Sequence, residues 1–582
     1  MKFSSLFQYY FNLFFRSMRC LSIFEWSIFF LGGFFFLFIY NTILPQIPLV
    51  MFSDFFVFLS CLILWVQLII NNYNSTFFAS NRNIKKYFLM NSVPQNIYKF
   101  KLEISQTSKL ISLISLLFNL VSLIYFVLFS KTVFVCALGS IKISLSSVIF
   151  KCFLSFFLFV LILWTSQQSQ ILSDEHYIYM FFIYISSSLI ITSNNLITLF
   201  ISFEWLSLLF IILSASVSKS MSFNSYSIIS RYFIISSFAS ILILISTAFI
   251  FMYFGTFSFD AIKAVNISAN PYTITFLPTF SHNTIVFFFT VGFFIKIGIF
   301  PFHIWIMDVY NFISSSFLLV LISFSKISYF FAFNTLISLF YLPANVNLIF
   351  SIVSLLTMLV GSVLAVNQKS VKKILISLSI FNSGFVFFTQ SIYVFSNSIF
   401  FSYLLLESMI FFLLVIFLTM FSSYNSHINP YKYRKIIYIT DLSRILPTTA
   451  KFIISLMLLT LSGLPPFGLF ILKFKILISY ALSSTSYLFT LFIILFLFIM
   501  MVNSANYIRL IKYLLFSNKS KFYEVQTTVS TENVFFSCFP NFSLQCYSFS
   551  LLFIIIWISI VIFFAFELSL ISILFEIDSF FL

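Results

Sequence analysis

Four ionisable residues lie where an apolar chain has least use for them. Glu204 stands in NNLITLFISFEWLSLLFIILSASVSK, nine residues after Asn195 and fifteen before Lys219. Lys296 lies thirteen residues after Asn283 and twelve before Asp308, and Lys326 lies inside SSSFLLVLISFSKISYFFAF. Lys473 follows the proline pair of LSGLPPFGLFILKFK. A charge at the centre of a lone membrane helix costs roughly 2.5–3.5 kcal/mol on insertion scales, so something must compensate each one.

Two kinds of compensation are open. Neutralising Glu–Lys pairs lock helices together, and a long lysine stem can snorkel to an interface. One buried carboxylate cannot pair permanently with three lysines, however, and a chain of titratable groups that passes protons needs residues of this kind. A lysine's proton affinity falls on burial or beside another cation, a drop of about 3 pKa units corresponding to about 4 kcal/mol. In that reading Glu204 tunes Lys296 electrostatically. His303, seven residues after Lys296, either extends the relay through its near-neutral titration or satisfies a carbonyl freed by Pro301. Glu407, in FSYLLLESMIFFLL, is a fifth ionisable group within an apolar run, with no partner visible in the sequence.

The elements that must position these groups follow from composition. Of 582 residues, 61% are hydrophobic and 8% charged, with a mean hydropathy of +1.10; soluble domains carry roughly 25% charge. Apolar runs of about 20 residues, enough to cross a hydrocarbon core of about 30 Å as a helix, recur along nearly the whole length. The runs are continuous and lack the alternation of a barrel, so the fold class is all-α, a polytopic membrane helix bundle. The runs lie near 21–44, 50–70, 108–129, 132–164, 176–192, 195–217, 230–254, 284–307, 312–340, 346–366, 371–392, 396–421, 450–478, 483–503 and 551–573, about fifteen spans. Residues 71–107 and 504–549 read as polar loops.

The 92 phenylalanines beside only ten glycines fit AT-rich codons and suggest an organellar genome. The net charge of +16 is concentrated in connections such as 81–101 and 431–435, where it sets topology; nucleic-acid binding is not expected. Lys369, Lys372 and Lys373 read as a solvated helix start, and Asp260 and Asp441 as loop residues. The six cysteines are scattered without metal or cluster spacing, and neither a P-loop nor a dinucleotide glycine pattern occurs. The chain is therefore expected to bind no nucleotide or redox centre itself.

Two of the runs are interrupted. FIKIGIFPFHIW breaks at Pro301 and LSGLPPFGLFILKFK at Pro465 and Pro466, each close to a lysine. Proline removes a helical donor and clashes with the preceding turn, which frees carbonyls near mid-membrane. The second broken run is the fifth after the first, and an odd number of crossings reverses direction. Broken spans in corresponding places of two inverted halves point to an ion path.

FISFEWLSLLFIILSA, FFIKIGIFPFHIWIMDVY, VGSVLAVNQKSVKKILISLSIFNSGFVF and LTLSGLPPFGLFILKFKIL, in this order over about residues 175–480, together resemble the chain 2 family of membrane-arm subunits of respiratory complex I, the proton-pumping NADH:ubiquinone oxidoreductase. The DVY at 308–310 favours this family over its two larger sister chains. The resemblance implies two inverted five-helix repeats around a central hydrated path, with Glu204 as the family's membrane glutamate, Lys296 and Lys473 as the broken-helix lysines and Lys326 as the central lysine. It implies that NADH, flavin (FMN), iron–sulfur clusters and ubiquinone are used by the complex and that no cofactor is bound by this chain. The implied partners are other membrane-arm subunits and membrane lipids, and the implied location is the mitochondrial inner membrane. Residues 171–480 form the expected antiporter-like core, between N-terminal helices over 1–170 and C-terminal helices over 481–582. The alternative function is that of a stand-alone or multisubunit cation/proton antiporter. After DVY the family commonly has a Gly/Ala/Pro-rich turn, whereas NFISSS follows here.

Overall fold

The computed structural model describes residues 134–136, 139–167, 174–217, 223–268, 279–313, 315–339, 344–391, 397–428, 448–465, 467–482 and 487–516. The apolar runs read near 21–44, 50–70, 108–129 and 551–573, and Asp441, lie outside these residues. Within them the chain is mostly helical. Eight helices are long and apolar enough to cross a membrane, and three shorter apolar helices accompany them. The helical membrane reading holds for the described residues, with one exception at the start.

That exception is a hairpin. β1 (Phe134–Cys136) and β2 (Ile141–Ile143) pair antiparallel with Val135 opposite Lys142, across a turn in which Gly139 takes φ +83°. The sequence reading began a membrane span at 132; the alternation of small, β-branched and charged residues before Ser144 suits a short ribbon instead, and the helix α1 (Leu145–Gln167) starts only after it.

The described residues form two units, with boundaries that fall within two helices, Phe223–Phe254 and Thr279–Ile297. The first takes its residues from Met1–Val217 and Leu244–Ser281. Here α1 packs on α2 (Asp174–Thr192), and α2 on α3 (Leu196–Val217), after a turn of three residues. The consecutive serines Ser186, Ser187 and Ser188 of α2 are buried, and each hydroxyl donates to the carbonyl three residues back at 2.8–3.0 Å. Local pairing of this kind lets a serine-rich helix lie in an apolar setting. At one end of the unit, Ile141 bridges Ser193 and Asn195 bridges Ser258, so the hairpin, the α2–α3 turn and the start of α5 (Phe259–Ser268) form one polar cap. The helix α4 (Phe223–Phe254) crosses the boundary between units.

The second unit takes its residues from Ser218–Ile243 and His282–Leu582. It holds α6 (Thr279–Ile297) from His282 on, α7 (Ile304–Phe312), α8 (Ser315–Val320), a π-helical turn (Leu321–Ser325), α9 (Lys326–Ile337), α10 (Ala344–Asn367), α11 (Val371–Gln390), α12 (Asn397–Ile428), α13 (Thr448–Ser462), α14 (Gly468–Leu482) and α15 (Tyr487–Phe516). The helix α11 is almost wholly buried and packs on α7, α10 and α12. Rings from four helices interlock around Phe387, with Phe294, Phe333 and Phe350 centred 5.0–5.5 Å from it. The abundance of phenylalanine therefore fills a real core, whatever its codon origin.

Glycine sets the closest helix pair. A Cβ at Gly361 of α10 would lie 2.5 Å from the backbone nitrogen of Phe381 in α11, and one at Gly384 of α11 would run into the Thr357 hydroxyl of α10. Small residues let membrane helices approach to this distance.

The helix α15 continues to Phe516, thirteen residues into the stretch read as a polar loop. Its polar residues there serve packing. The Asn506 amide donates to the Ser362 carbonyl at 2.8 Å, and Arg509 donates to Ala365 at 2.7 Å and also to Val366, the last carbonyls of α10.

Candidate functional site in the second unit

Each broken run is interrupted as proline chemistry requires, and each interruption begins on a left-handed glycine. The α6–α7 break opens at Gly298 with φ +78° and the α13–α14 break at Gly463 with φ +71°. Glycine adopts this region without the cost that a Cβ imposes. Ile299 and Gly298 both donate to the Phe294 carbonyl, at 2.9 and 2.8 Å, which closes α6, and Phe302 donates to Ile299 across the break.

Lys296 is buried, 8% exposed, in the last turn of α6. The partial negative charge of a helix C-terminus favours a cation there. Lys473 reaches the same kind of place from the other side. It is 5% exposed on α14, and its ammonium reaches back across the break to the terminal carbonyls of α13, at 3.1 Å from Leu461 and 3.5 Å from Ser462. It also stands 5.9 Å from the centre of the Phe385 ring, a cation–π distance.

His303 stacks on Phe300 with ring centres 6.0 Å apart. It lies beside the Pro301 carbonyl, and its buried Nδ1 makes no hydrogen bond of normal geometry. The carbonyl just before the break is served by another residue, for the Trp305 indole donates to Ile295 at 3.0 Å.

Lys326 is the first residue after the π-helical turn. Such turns are rare and concentrate at functional sites. Its ammonium donates to the Ser379 carbonyl of α11 at 2.5 Å. Glu204 lies mid-helix in α3 of the first unit, partly buried.

Glu407 is what sequence reading undervalued. It is 4% exposed in α12, a helix packed against α8, α9, α11, α13 and α14. Its carboxylate lies within electrostatic reach of both Lys326 and Lys473 and next to the Asn382 amide. One stripe of α11 serves all three groups. The Ser379 carbonyl holds Lys326, while the side chains of Asn382 and Phe385, three residues apart and so on one helix face, meet Glu407 and Lys473.

At helix starts, Lys372 and Asp260 depart from their sequence readings. Lys372 donates to the carbonyls of Asn311, at 2.8 Å, and Ile313, so it caps the end of α7. Asp260 sits in the first turn of α5 in the first unit and accepts from Lys142 at 2.8 Å and Asn194 at 2.9 Å. Burial raises its carboxyl, but these two bonds, with the charges of Lys142 and Lys263, outweigh burial and hold it below the usual carboxylate range. A cavity of about 370 Å³ opens between Arg231, Asp308 and Lys373, where Arg231 and Asp308 stand 3.4 Å apart.

Residues 193–517, more than half of the chain, match the family model described as NADH:quinone oxidoreductase/Mrp antiporter, transmembrane. The chain belongs to that family. Among similar proteins, NADH-quinone oxidoreductase subunit N of Mycobacteroides abscessus is 29% identical over 199 residues, 33% of this chain and 35% of that one. Subunit N 2 of Thermodesulfovibrio yellowstonii is 31% identical over 206 residues, 34% of this chain and 42% of that one. The chain thus spans between a third and a half of the length of these curated relatives. In fold, it is similar to a chain of the archaeal membrane-bound sulfane sulfur reductase, with a TM-score of 0.63 at 16% identity over 81% of this chain and 93% of that one. It is similar too to a chain of respiratory complex I from Thermus thermophilus, with a TM-score of 0.56 at 18% identity over 71% and 85%. This member of the family is a multi-pass, antiporter-like membrane protein.

Proposed function

We propose that the chain is the chain 2 type of core subunit in the membrane arm of a respiratory NADH:ubiquinone oxidoreductase. In that role it moves protons through a relay of Glu204, Lys296, Lys326 and Lys473, driven by electron transfer elsewhere in the complex. Two inverted five-helix repeats within about fifteen spans, other membrane-arm subunits and lipids as partners, and a mitochondrial inner membrane complete the reading. NADH, flavin, iron–sulfur clusters and ubiquinone act in the complex and not on this chain.

The observation that carries it is the pair of broken helices, each opening on a left-handed glycine and each with a buried lysine beside the break. Loosened backbone admits water, and the partial negative charge of the helix ends favours an ammonium beside each break. His303, whose buried Nδ1 makes no hydrogen bond of normal geometry at the first break, is the further carrier in this reading.

The test is NADH:quinone activity and proton pumping in membranes that carry Lys296→Ala. Both should fall in the assembled complex, and unchanged pumping overturns the relay. A stand-alone cation/proton antiporter is the second reading, favoured by the fold similarity to a chain of the Mrp complex from Dietzia at a TM-score of 0.58. It requires cation-driven proton exchange by the purified chain alone.

A further inference from the structure

Glu407 occupies a position that a purely structural counter-ion would not. A carboxylate that serves to neutralise a buried lysine stabilises the fold through direct contact, because the attraction between charges in a poorly polarisable interior rises steeply at short range. Glu407 faces two lysines, Lys326 and Lys473, and forms an ion pair within 4 Å with neither. Each ammonium is held by backbone carbonyls instead, Lys326 by Ser379 and Lys473 by Leu461 and Ser462.

The groups around the carboxylate are polar and unsatisfied. Asn382 is 1% exposed, and neither its Nδ2 nor its Oδ1 makes a hydrogen bond of normal geometry. The Tyr507 hydroxyl, fully buried on α15, faces both Asn382 and Glu407 and is likewise unsatisfied. Tyr403, one turn before Glu407 on α12, faces it as well. A buried amide or hydroxyl left unpaired costs about 1–3 kcal/mol, and buried water commonly satisfies such groups. The titratable groups that face Glu407 are thus Lys326, Lys473, Tyr403 and Tyr507, with Asn382 between helices.

We infer that Glu407 is the proton-exchange group between Lys326 and Lys473, linked to them by water held at Asn382 and Tyr507. The inference rests on the relay reading above and adds a member to it. The Lys326 ammonium gives one proton to the Glu407 carboxylate, which leaves a neutral amine and a carboxylic acid. The acid then gives that proton to Lys473, previously deprotonated toward the outlet, which restores the carboxylate and yields an ammonium. One proton moves from Lys326 to Lys473 and the charge of the pair of steps balances; the reverse order balances equally.

The experiment compares Glu407→Gln, Glu407→Asp and Lys326→Ala in the intact complex in native membranes, with assembly followed on native gels. NADH-driven pumping per assembled complex should fall by at least about 100-fold in Glu407→Gln, the lower range for loss of a proton-transfer group. Glu407→Asp should recover much of it with a shifted pH profile. Wild-type pumping by Glu407→Gln beside a dead Lys326→Ala overturns the role of Glu407 and leaves the relay standing; wild-type pumping by both overturns the relay itself. Should Glu407→Gln not assemble, infrared difference spectra of wild type and Glu407→Asp decide. A protonated-carboxyl band that moves between them during turnover supports the exchange, and identical spectra overturn it.

Discussion

Gly463 and Lys473 face each other across the second helix break so closely that a Cβ on Gly463 would lie 2.8 Å from both Cδ and Nζ of the lysine. Gly463→Ala therefore does two things, forcing a side chain into φ +71° and pushing the ammonium off the Leu461 carbonyl. Gly255 has φ +70° and nothing within 4 Å of such a Cβ, so Gly255→Ala pays only the left-handed cost of roughly 1–2 kcal/mol. Thermal stability should fall in both variants and further in Gly463→Ala, while in the proposed relay pumping falls markedly only in Gly463→Ala. Equal pumping would remove Lys473 from the relay.

Trp305→Phe removes the indole donor from the Ile295 carbonyl while keeping an aromatic face toward Tyr232, 5.3 Å away between ring centres. The orphaned carbonyl at the end of α6 should cost about 1–3 kcal/mol. A lowered melting temperature of the detergent-solubilised complex checks this, and an unchanged one shows that another donor serves the carbonyl.

Gly361→Ala should destabilise by about 1–3 kcal/mol, in the range for overpacking. The obstacle is the Phe381 backbone, 2.5 Å from its nitrogen and 2.8 Å from its Cα, and no rotamer change relieves that. The expected readout is loss of assembled complex on a native gel at raised temperature, with helicity by circular dichroism retained at low temperature.

The Lys142–Asp260 contact gives a pH signature. The folded Asp260 carboxyl is held below the usual range, so its contribution is present above the unfolded value of about 3.9 and is lost as pH falls through the lower folded value. Its side chain is 48% exposed, which limits the contribution to about 1 kcal/mol or less. Asp260→Asn should lower the melting temperature slightly at pH 7, and the difference from wild type should close below about pH 4.

The broken runs, the buried lysines and most helix bounds were legible because each rests on local chemistry. Pro301 lacks a donor wherever it stands, and a charge inside twenty apolar residues is conspicuous without any partner in view. The hairpin at 134–143 was not legible, since a short apolar ribbon and the start of a span share a composition and only pairing with Ser193 and the cap around Asp260 separates them. The extension of α15 to Phe516 was hidden for the opposite reason. Asn506 and Arg509 look solvated until α10 supplies the carbonyls that receive them.

The sequence by itself determined that this is a multi-pass helical membrane protein of an antiporter-like kind, with lysines set beside two helix breaks. Hydrophobic run length and proline geometry depend on neighbours along the chain, so one dimension suffices for both. Only the tertiary structure decided what Glu407 is near. Its partners Lys326, Asn382 and Lys473 are 81, 25 and 66 residues away, and no period or motif relates them. They meet because α12 packs against α9, α11 and α14 at once, and electrostatic partnership is a property of distance in space.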